Sequence, residues 1–352
     1  MRILVVQTAF IGDVVLTAPF LRALLEKWPG CAIDVVAIPQ GCAVLEGFPS
    51  LRCHALDKRS GLKGIRDVLR SLAAGHEADE FDLVFCVHRS LRSLWIGRRA
   101  RAKKRIAFRS AVARMLGYKT VPYPPYSEEI HYADKPMALL LALDSNTPLT
   151  LRPTLAVAAA DEASAKLKIA PLGPERRYIV LSPFSVWNTK MWFADRFARV
   201  CAEIAAHRDV AVVVTGGGAG RERAIGQTIV EKIERAGGLA VSLVGATTIG
   251  ELKALIRGAA LVLANDSAPV HIASAFDVPT VAIFGPTVKK WGFFPLSSRH
   301  IVIERPGVPC RPCGLHGPMK CPKRHFRCMN EIQVEDVRRA VKNLLESGPA
   351  RK

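Results

Sequence analysis

The chain has 352 residues, 49% hydrophobic and 7% aromatic, and a formal net charge of +19 from 50 Lys and Arg against 31 Asp and Glu. This composition fits a globular protein of about two domains and excludes a disordered or fibrous chain. No apolar stretch approaches the roughly 20 residues that span a bilayer, and no small-residue cleavage site follows an apolar core at the start, so a cytoplasmic protein, bound at most to a membrane surface, is expected.

The opening "RILVVQT" is a strand, followed by the loop "AFIGD" and a helix over "VVLTAPFLRALLEKWP", whose apolar residues recur at helical spacing. Gly12 and Asp13 then lie at the tip of the first strand, on the edge where open α/β sheets bind ligands. An Asp there is either a helix N-cap or a general base. "CAIDVVAI" and "FDLVFCVH" (81–88) are further strands. From Arg89 to Lys119 the chain holds eleven Lys or Arg and no acid, interleaved with Trp95, Ile96, Phe108 and Met115. That pattern suits an anionic partner, with a solvated basic face as the plainer alternative. "VPYPPYSEEIHYADKP" is an ordered loop that closes into the helix "MALLLALD". Strands alternating with helices argue for a parallel sheet covered on both faces.

Proline gathers around 145–177 and frames a short helix, and an interdomain linker is expected there. A second alternation follows. "SPFSVWNTKMW" (182–192) ends the strand "YIVLSP" and offers Ser182, Ser185, Asn188, Thr189 and Lys190 before a helix from Phe193 to His207. Hydroxyls, N–H groups and an ammonium at a helix start are the parts of a diphosphate site. "GGGAGRERAIG" (216–226) follows the strand "DVAVVVTGG" and is either a phosphate-approaching loop or a tight turn without a ligand. Arg221 stands where the dinucleotide fingerprint needs its third glycine, which removes the main support for an oxidoreductase. After "LAVSLVG" and "TIGELKALIRGA", the stretch "LVLANDSAPVHIASAFDVPTVAIFGPT" (261–287) reads strand, loop, helix, strand and puts Asp266, Ser267 and His271 at the ligand edge.

"CRPCGLHGPMKCPKRHFRC" carries Cys310, Cys313, Cys321 and Cys328 without a second CxxC pair. Zinc, disulfides and a basic loop touching the substrate or the other domain all stay open there. Cys31, Cys42, Cys53, Cys86 and Cys201 are scattered as reduced core residues would be. "QVEDVRRAVKNLLESG" closes the chain as an amphipathic helix.

"ILVVQTAFIGDVVLTAPFLRALLEKWP", "NTKMW", "NDSAPVHIASAFDVPTVAIFGPT" and the "CRPCGLHG" tail together resemble the ADP-heptose:lipopolysaccharide heptosyltransferases, glycosyltransferase family 9, over nearly the whole chain. The members that add the second heptose are the most similar. The resemblance implies a GT-B architecture, two facing Rossmann-like doubly wound α/β domains with a cleft between them. Residues 1–160 would bind the acceptor and 175–330 ADP-heptose, with the helix in 331–352 packing back toward the first domain. It implies inverting transfer from ADP-L-glycero-D-manno-heptose to the lipopolysaccharide inner core, at the cytoplasmic face of the inner membrane, with no required metal or cofactor. The acceptor would be lipid A carrying 3-deoxy-manno-octulosonic acid and one heptose; addition of the first or another core heptose is the alternative.

By the same resemblance, Asp13 would be the base, in a loop formed with Gly12, and Arg89 and Arg92 would bind the acceptor. Thr189 and Lys190 would hold the donor diphosphate and Asp266 the donor sugar's hydroxyls. Ser267 and the backbone at Ala268 would meet the phosphates, His271 would support that loop, and Glu222 would reach the adenosine. Ala268 and Phe193 depart from the glycine and proline expected there, without removing a charged group. The charge would serve an anionic membrane surface. A nucleic-acid partner is not expected, because no RNA- or DNA-binding motif accompanies the charge and the charge leaves the three phosphate-type loops unexplained.

Overall fold

The computed structural model describes residues 1–74, 80–127, 129–141, 143, 152–173, 176–207 and 210–346. The chain divides into two compact units, Met1–Ala156 and Val157–Lys352. In the first, β1 (Arg2–Val6), β2 (Ala32–Ala37), β3 (Leu51–Ala55), β4 (Phe81–Cys86), β5 (Ala102–Phe108) and β6 (Lys119–Val121) form one sheet in the order β3-β2-β1-β4-β5-β6. Every pairing in it is parallel. In the second, β7 (Arg177–Ser182), β8 (Val210–Val214), β9 (Ala240–Ser242), β10 (Leu261–Asn265), β11 (Thr280–Phe284) and β12 (His300–Glu304) form another, in the order β12-β11-β10-β7-β8-β9, again all parallel. Each unit is the doubly wound fold expected from the sequence.

The inner strands are continuous apolar runs because helices cover both faces. Ile3 to Val6 and Leu261 to Ala264 are wholly shielded from solvent. In each unit the strand order reverses beside the first strand, between β1 and β4 and between β7 and β10. The loops leaving these strands diverge, so the crevice for a ligand opens after Val6 and Cys86 in one unit and after Ser182 and Asn265 in the other.

Two details differ from the sequence reading, one in the first loop and one in the basic stretch. "AFIGD" is not all loop: a short helix spans Ile11–Val15, and a second runs from Ala18 to Lys27. Pro19 near the start of the second helix has no N–H to continue the first, which sets the break. The short helix expected between the prolines spans Ala159–Ile169 and belongs to the second unit. Ser164 and Lys168 on it bond Glu251, at 2.5 and 2.6 Å. The last helix, Val334–Glu346, buries Val337, Ala340, Val341, Leu344 and Leu345 in the core of the second unit, with Phe197, Val281 and Ile283. Ile96 and Phe108, read as part of a basic surface, are buried, while Met115 is 84% exposed. Part of the predicted helix "MALLLALD" and much of the predicted linker lie outside the described residues.

Candidate active site

In the second unit the loops after β7 and β10 bring Lys190 and Asp266 together. The Lys190 ammonium donates to Asp266 Oδ2 at 2.6 Å, and Thr287 Oγ1 donates to the same oxygen at 2.7 Å. Lys190 is 9% and Asp266 5% exposed, so this is a buried ion pair, with a strength set by geometry rather than by proximity alone. An ammonium carries three donors, so the pairing fixes Lys190 without exhausting it. Asn265, wholly buried, locks the two loops to each other: its Nδ2 donates to the Pro183 carbonyl at 2.7 Å and its Oδ1 accepts the Trp192 N–H at 3.0 Å. Ser267 is the N-cap residue of the helix Ala268–Ala275, in extended conformation, and its hydroxyl donates to the Asn265 carbonyl at 3.1 Å. Ala268 is therefore the first residue of that helix. His271 lies buried on it, its ring 6.2 Å from that of Phe293.

The cysteine-bearing loop buttresses this arrangement, a role the sequence did not disclose. The Thr189 hydroxyl donates to the Pro318 carbonyl, Trp187 stacks on His316 at 5.9 Å, and the Cys313 N–H donates to the Pro286 carbonyl at 2.9 Å. Arg311 donates to the Thr287 carbonyl at 2.7 Å and pairs with Glu304 at 2.8 Å, holding the residue that bonds Asp266. All nine cysteines are free thiols. Burial, then the neighbouring Cys313, pushes the Cys328 thiol up to about 11. Cys310 Sγ lies 3.7 Å from His325 Nε2, and among the described residues no group of three or more His, Cys, Asp or Glu is arranged to hold a metal ion.

The glycine loop after β8 is a tight turn. A side chain on Gly216 would overlap the Phe184 ring, and Gly218, at φ +78°, lies against Gly245. Glu222, proposed for the adenosine, accepts the Gly218 N–H at 2.9 Å from the first turn of its helix and so holds this loop closed.

In the first unit Asp13 is buried in the short helix after β1, and its Oδ2 accepts the Phe10 N–H at 3.2 Å. The sequence allowed Asp13 as the N-cap residue; that place is taken by Phe10, and Asp13 is the third residue of the helix, its carboxylate reaching back to the Phe10 N–H. Gly12 lies one position earlier in that helix rather than in a loop, its carbonyl accepting the Leu16 N–H. Arg89 follows β4 with its guanidinium 4.4 Å over the Tyr123 ring. Arg92, on the helix Leu91–Arg99, acts on Lys58, whose pKa falls through burial and then through Arg92's charge while Asp13 opposes the fall. The Pro/Tyr-rich loop adds residues that the sequence reading left out of the site. Lys135 Nζ lies 3.3 Å from the Tyr126 ring centre, 4.6 Å from that of Tyr123 and 6.0 Å from that of Tyr132. Burial, then the charge of Arg89, brings Lys135 down to about 8. Burial, then Asp13's charge, raises the pKa of the Tyr132 phenol well above its ordinary value. Three tyrosines within ten residues were the available signal.

Residues 69–317 match the sequence profile of glycosyltransferase family 9 (heptosyltransferase). The chain is 26% identical to a lipooligosaccharide heptosyltransferase 2 of Campylobacter jejuni, covering 99% of each chain. It is equally identical, 26%, to a lipopolysaccharide heptosyltransferase 1 of Pseudomonas aeruginosa, over 89% of this chain and 86% of that one. The solved structure of the Escherichia coli ADP-heptose lps heptosyltransferase II shares the fold over 98% of both chains, with a TM-score of 0.77 at 21% identity.

Proposed function

The chain belongs to glycosyltransferase family 9, the heptosyltransferases, and from that premise we propose that it moves a heptose, with inversion, from ADP-L-glycero-D-manno-heptose to the inner core of lipopolysaccharide, as the second heptose. The observation that carries this reading is the buried Lys190–Asp266 pair at the strand reversal of the second sheet, where a cation and a carboxylate stand side by side for a diphosphate and a sugar. Lys190, with N–H groups at the start of the helix Ala268–Ala275 beyond Ser267, takes the charge that develops on the departing ADP. Asp266 holds donor hydroxyls, and His271 supports its loop from the same helix. Glu222 acts by shaping the loop that borders the adenosine. The name of the E. coli relative supports ADP-heptose as donor. The reaction needs no metal ion, because Lys190 supplies the leaving-group cation.

On the first unit Asp13 takes the proton from the acceptor hydroxyl as that oxygen bonds the anomeric carbon and ADP departs. Arg89 and Arg92 meet the anionic groups of the acceptor, lipid A bearing 3-deoxy-manno-octulosonic acid and one heptose. Among the described residues no helix is long and apolar enough to cross a membrane. The basic stretch after Arg89 supports peripheral attachment at the cytoplasmic face of the inner membrane. The similarity to a heptosyltransferase 2 over the full length supports the second step.

The test is to incubate the protein with ADP-heptose and lipopolysaccharide acceptors truncated before and after the first heptose, following ADP release and product mass. Transfer to the one-heptose acceptor alone is expected. Transfer to the heptose-free acceptor moves the protein to the first step, and transfer to neither overturns the acceptor assignment.

A further inference from the structure

An arginine that binds an anion well keeps its N–H donors open and its long side chain in place. The backbone around Arg89 is already fixed: on one side the His88 N–H donates to the Val6 carbonyl at 3.2 Å, and on the other Ser90 caps the helix Leu91–Arg99 by accepting the Ser93 N–H at 3.2 Å. The Arg89 side chain is exposed, and what holds its guanidinium is the Tyr123 ring, 4.4 Å beneath it. Attraction to a ring face uses no hydrogen bond, and among the described residues no atom accepts one from this guanidinium, so its N–H donors remain open to a ligand. Tyr123 is itself placed by its neighbours. Pro124 after it restricts its backbone to the extended region, and Pro122 before it fixes the approach of the chain. Phe108, at the end of β5, makes a T-shaped contact with its ring, centroids 4.8 Å apart, and Lys135 Nζ lies 4.6 Å from the ring centre. Two cations thus share one ring, and among the described residues no carboxylate pairs with either, which leaves a positive field for an anion to enter.

We propose that Tyr123 is a positioning residue for Arg89, its ring holding the guanidinium so that the N–H donors meet an oxyanion of the acceptor, a phosphate or a carboxylate, already oriented. The inference rests on the reading of Arg89 as an acceptor-binding residue. Either oxyanion offers paired oxygens to the fork of an arginine. An exposed arginine that samples its rotamers loses that freedom when it binds, whereas one held beforehand has less to lose, so the ring adds to acceptor affinity through the arginine. The ring face does this, not the hydroxyl: the Tyr123 hydroxyl meets that of Tyr126 at 3.5 Å, within the same loop. Phe108 and Lys135 hold the ring in turn, so the order of support runs from β5 and the Pro/Tyr-rich loop to Tyr123 and from Tyr123 to Arg89.

The experiment measures kcat and the acceptor and donor KM of heptose transfer for wild type, Tyr123→Leu, Tyr123→Phe, Arg89→Ala and the combination of Tyr123→Leu with Arg89→Ala. Tyr123→Leu is expected to raise the acceptor KM about ten-fold while kcat and the donor KM hold, and the conservative Tyr123→Phe, which keeps the ring, to restore it. In the combination, Tyr123→Leu is expected to add nothing to the rise caused by Arg89→Ala, because the ring acts through that arginine. Since the leucine variant can fail to fold, phenylalanines of increasing ring fluorination at position 123 supply a near-isosteric series: fluorine draws negative charge from the ring face, and the acceptor KM is expected to climb with each step. With acceptor stripped of its phosphates, a persisting effect of Tyr123→Leu assigns the oxyanion to a carboxylate and a lost effect assigns it to a phosphate; both support the inference. Additive effects of the two substitutions, a Tyr123→Phe that behaves like Tyr123→Leu, or an acceptor KM unmoved along the fluorine series while Arg89→Ala raises it, overturn the inference and leave Arg89 as an acceptor-binding residue. An acceptor KM unchanged in Arg89→Ala removes the reading of Arg89 itself, and the inference with it.

Discussion

At the scale of single residues, Lys190 and Asp266 bear on stability and, in the proposed function, on chemistry, and the two can be separated. Lys190→Met leaves the Asp266 carboxylate buried without its cation, which costs about 3 kcal/mol. Asp266→Asn strands the ammonium in the same way. The double variant has no unpaired charge, so its thermal midpoint is expected to recover most of what either single change loses. Turnover is not expected to recover, because no cation then meets the diphosphate. Restored transfer alongside restored stability would assign the pair to structure alone. Lys190 and Asp266 were both legible from residue type and place, before a helix and after a strand. Thr287, Arg311, Tyr132 and Lys135 were not, because what makes them part of a site is a loop returning from elsewhere in the chain.

Among the elements, the helices Ala159–Ile169 and Ile249–Gly258 are joined through a single carboxylate. Glu251 closes a capping box with Thr248 and accepts from Ser164 and Lys168 on the other helix. Burial alone would raise its pKa, but the bonds from Lys168, Ser164 and the Thr248 N–H outweigh it and bring it from 4.5 to about 2. A carboxyl group depressed in the folded state stabilises the fold fully above its unfolded value and loses that contribution as pH falls through the folded one. Glu251→Gln is therefore expected to be about 2 kcal/mol less stable than wild type at neutral pH, with the difference narrowing as pH falls from 4.5 toward 2 in urea titrations. A difference constant with pH would show that shape rather than charge joins the helices. The strands in the sequence divide along similar lines. β1, β7, β8, β10 and β11 were legible as unbroken apolar runs, whereas Arg52 and His54 in β3, Lys103 to Arg105 in β5, and His300 and Glu304 in β12 disguised strands toward the sheet edges. There one side of the strand is open to water and charge costs little.

For the whole molecule, the +19 charge has a place to act. Arg98, Arg99, Arg101, Lys103, Lys104, Arg109, Arg114 and Lys119 are all exposed, and so are Leu91 and Met115. The protein is expected to sediment with vesicles containing anionic phospholipid at low ionic strength, to leave them at about 0.5 M salt, and to ignore zwitterionic vesicles. Binding insensitive to lipid charge would reduce the stretch to a solvated face. Two doubly wound units were legible from the alternation of strands and helices. The division at Ala156 was harder to see, because the prolines around it blur into a helix that the second unit claims. The first unit is one unbroken stretch of chain, and its central strand β1 is also the first to be made. All six of its strands have left the ribosome before the second sheet begins, so the half that carries Asp13 can close its core while the half that carries Lys190 is still being synthesised.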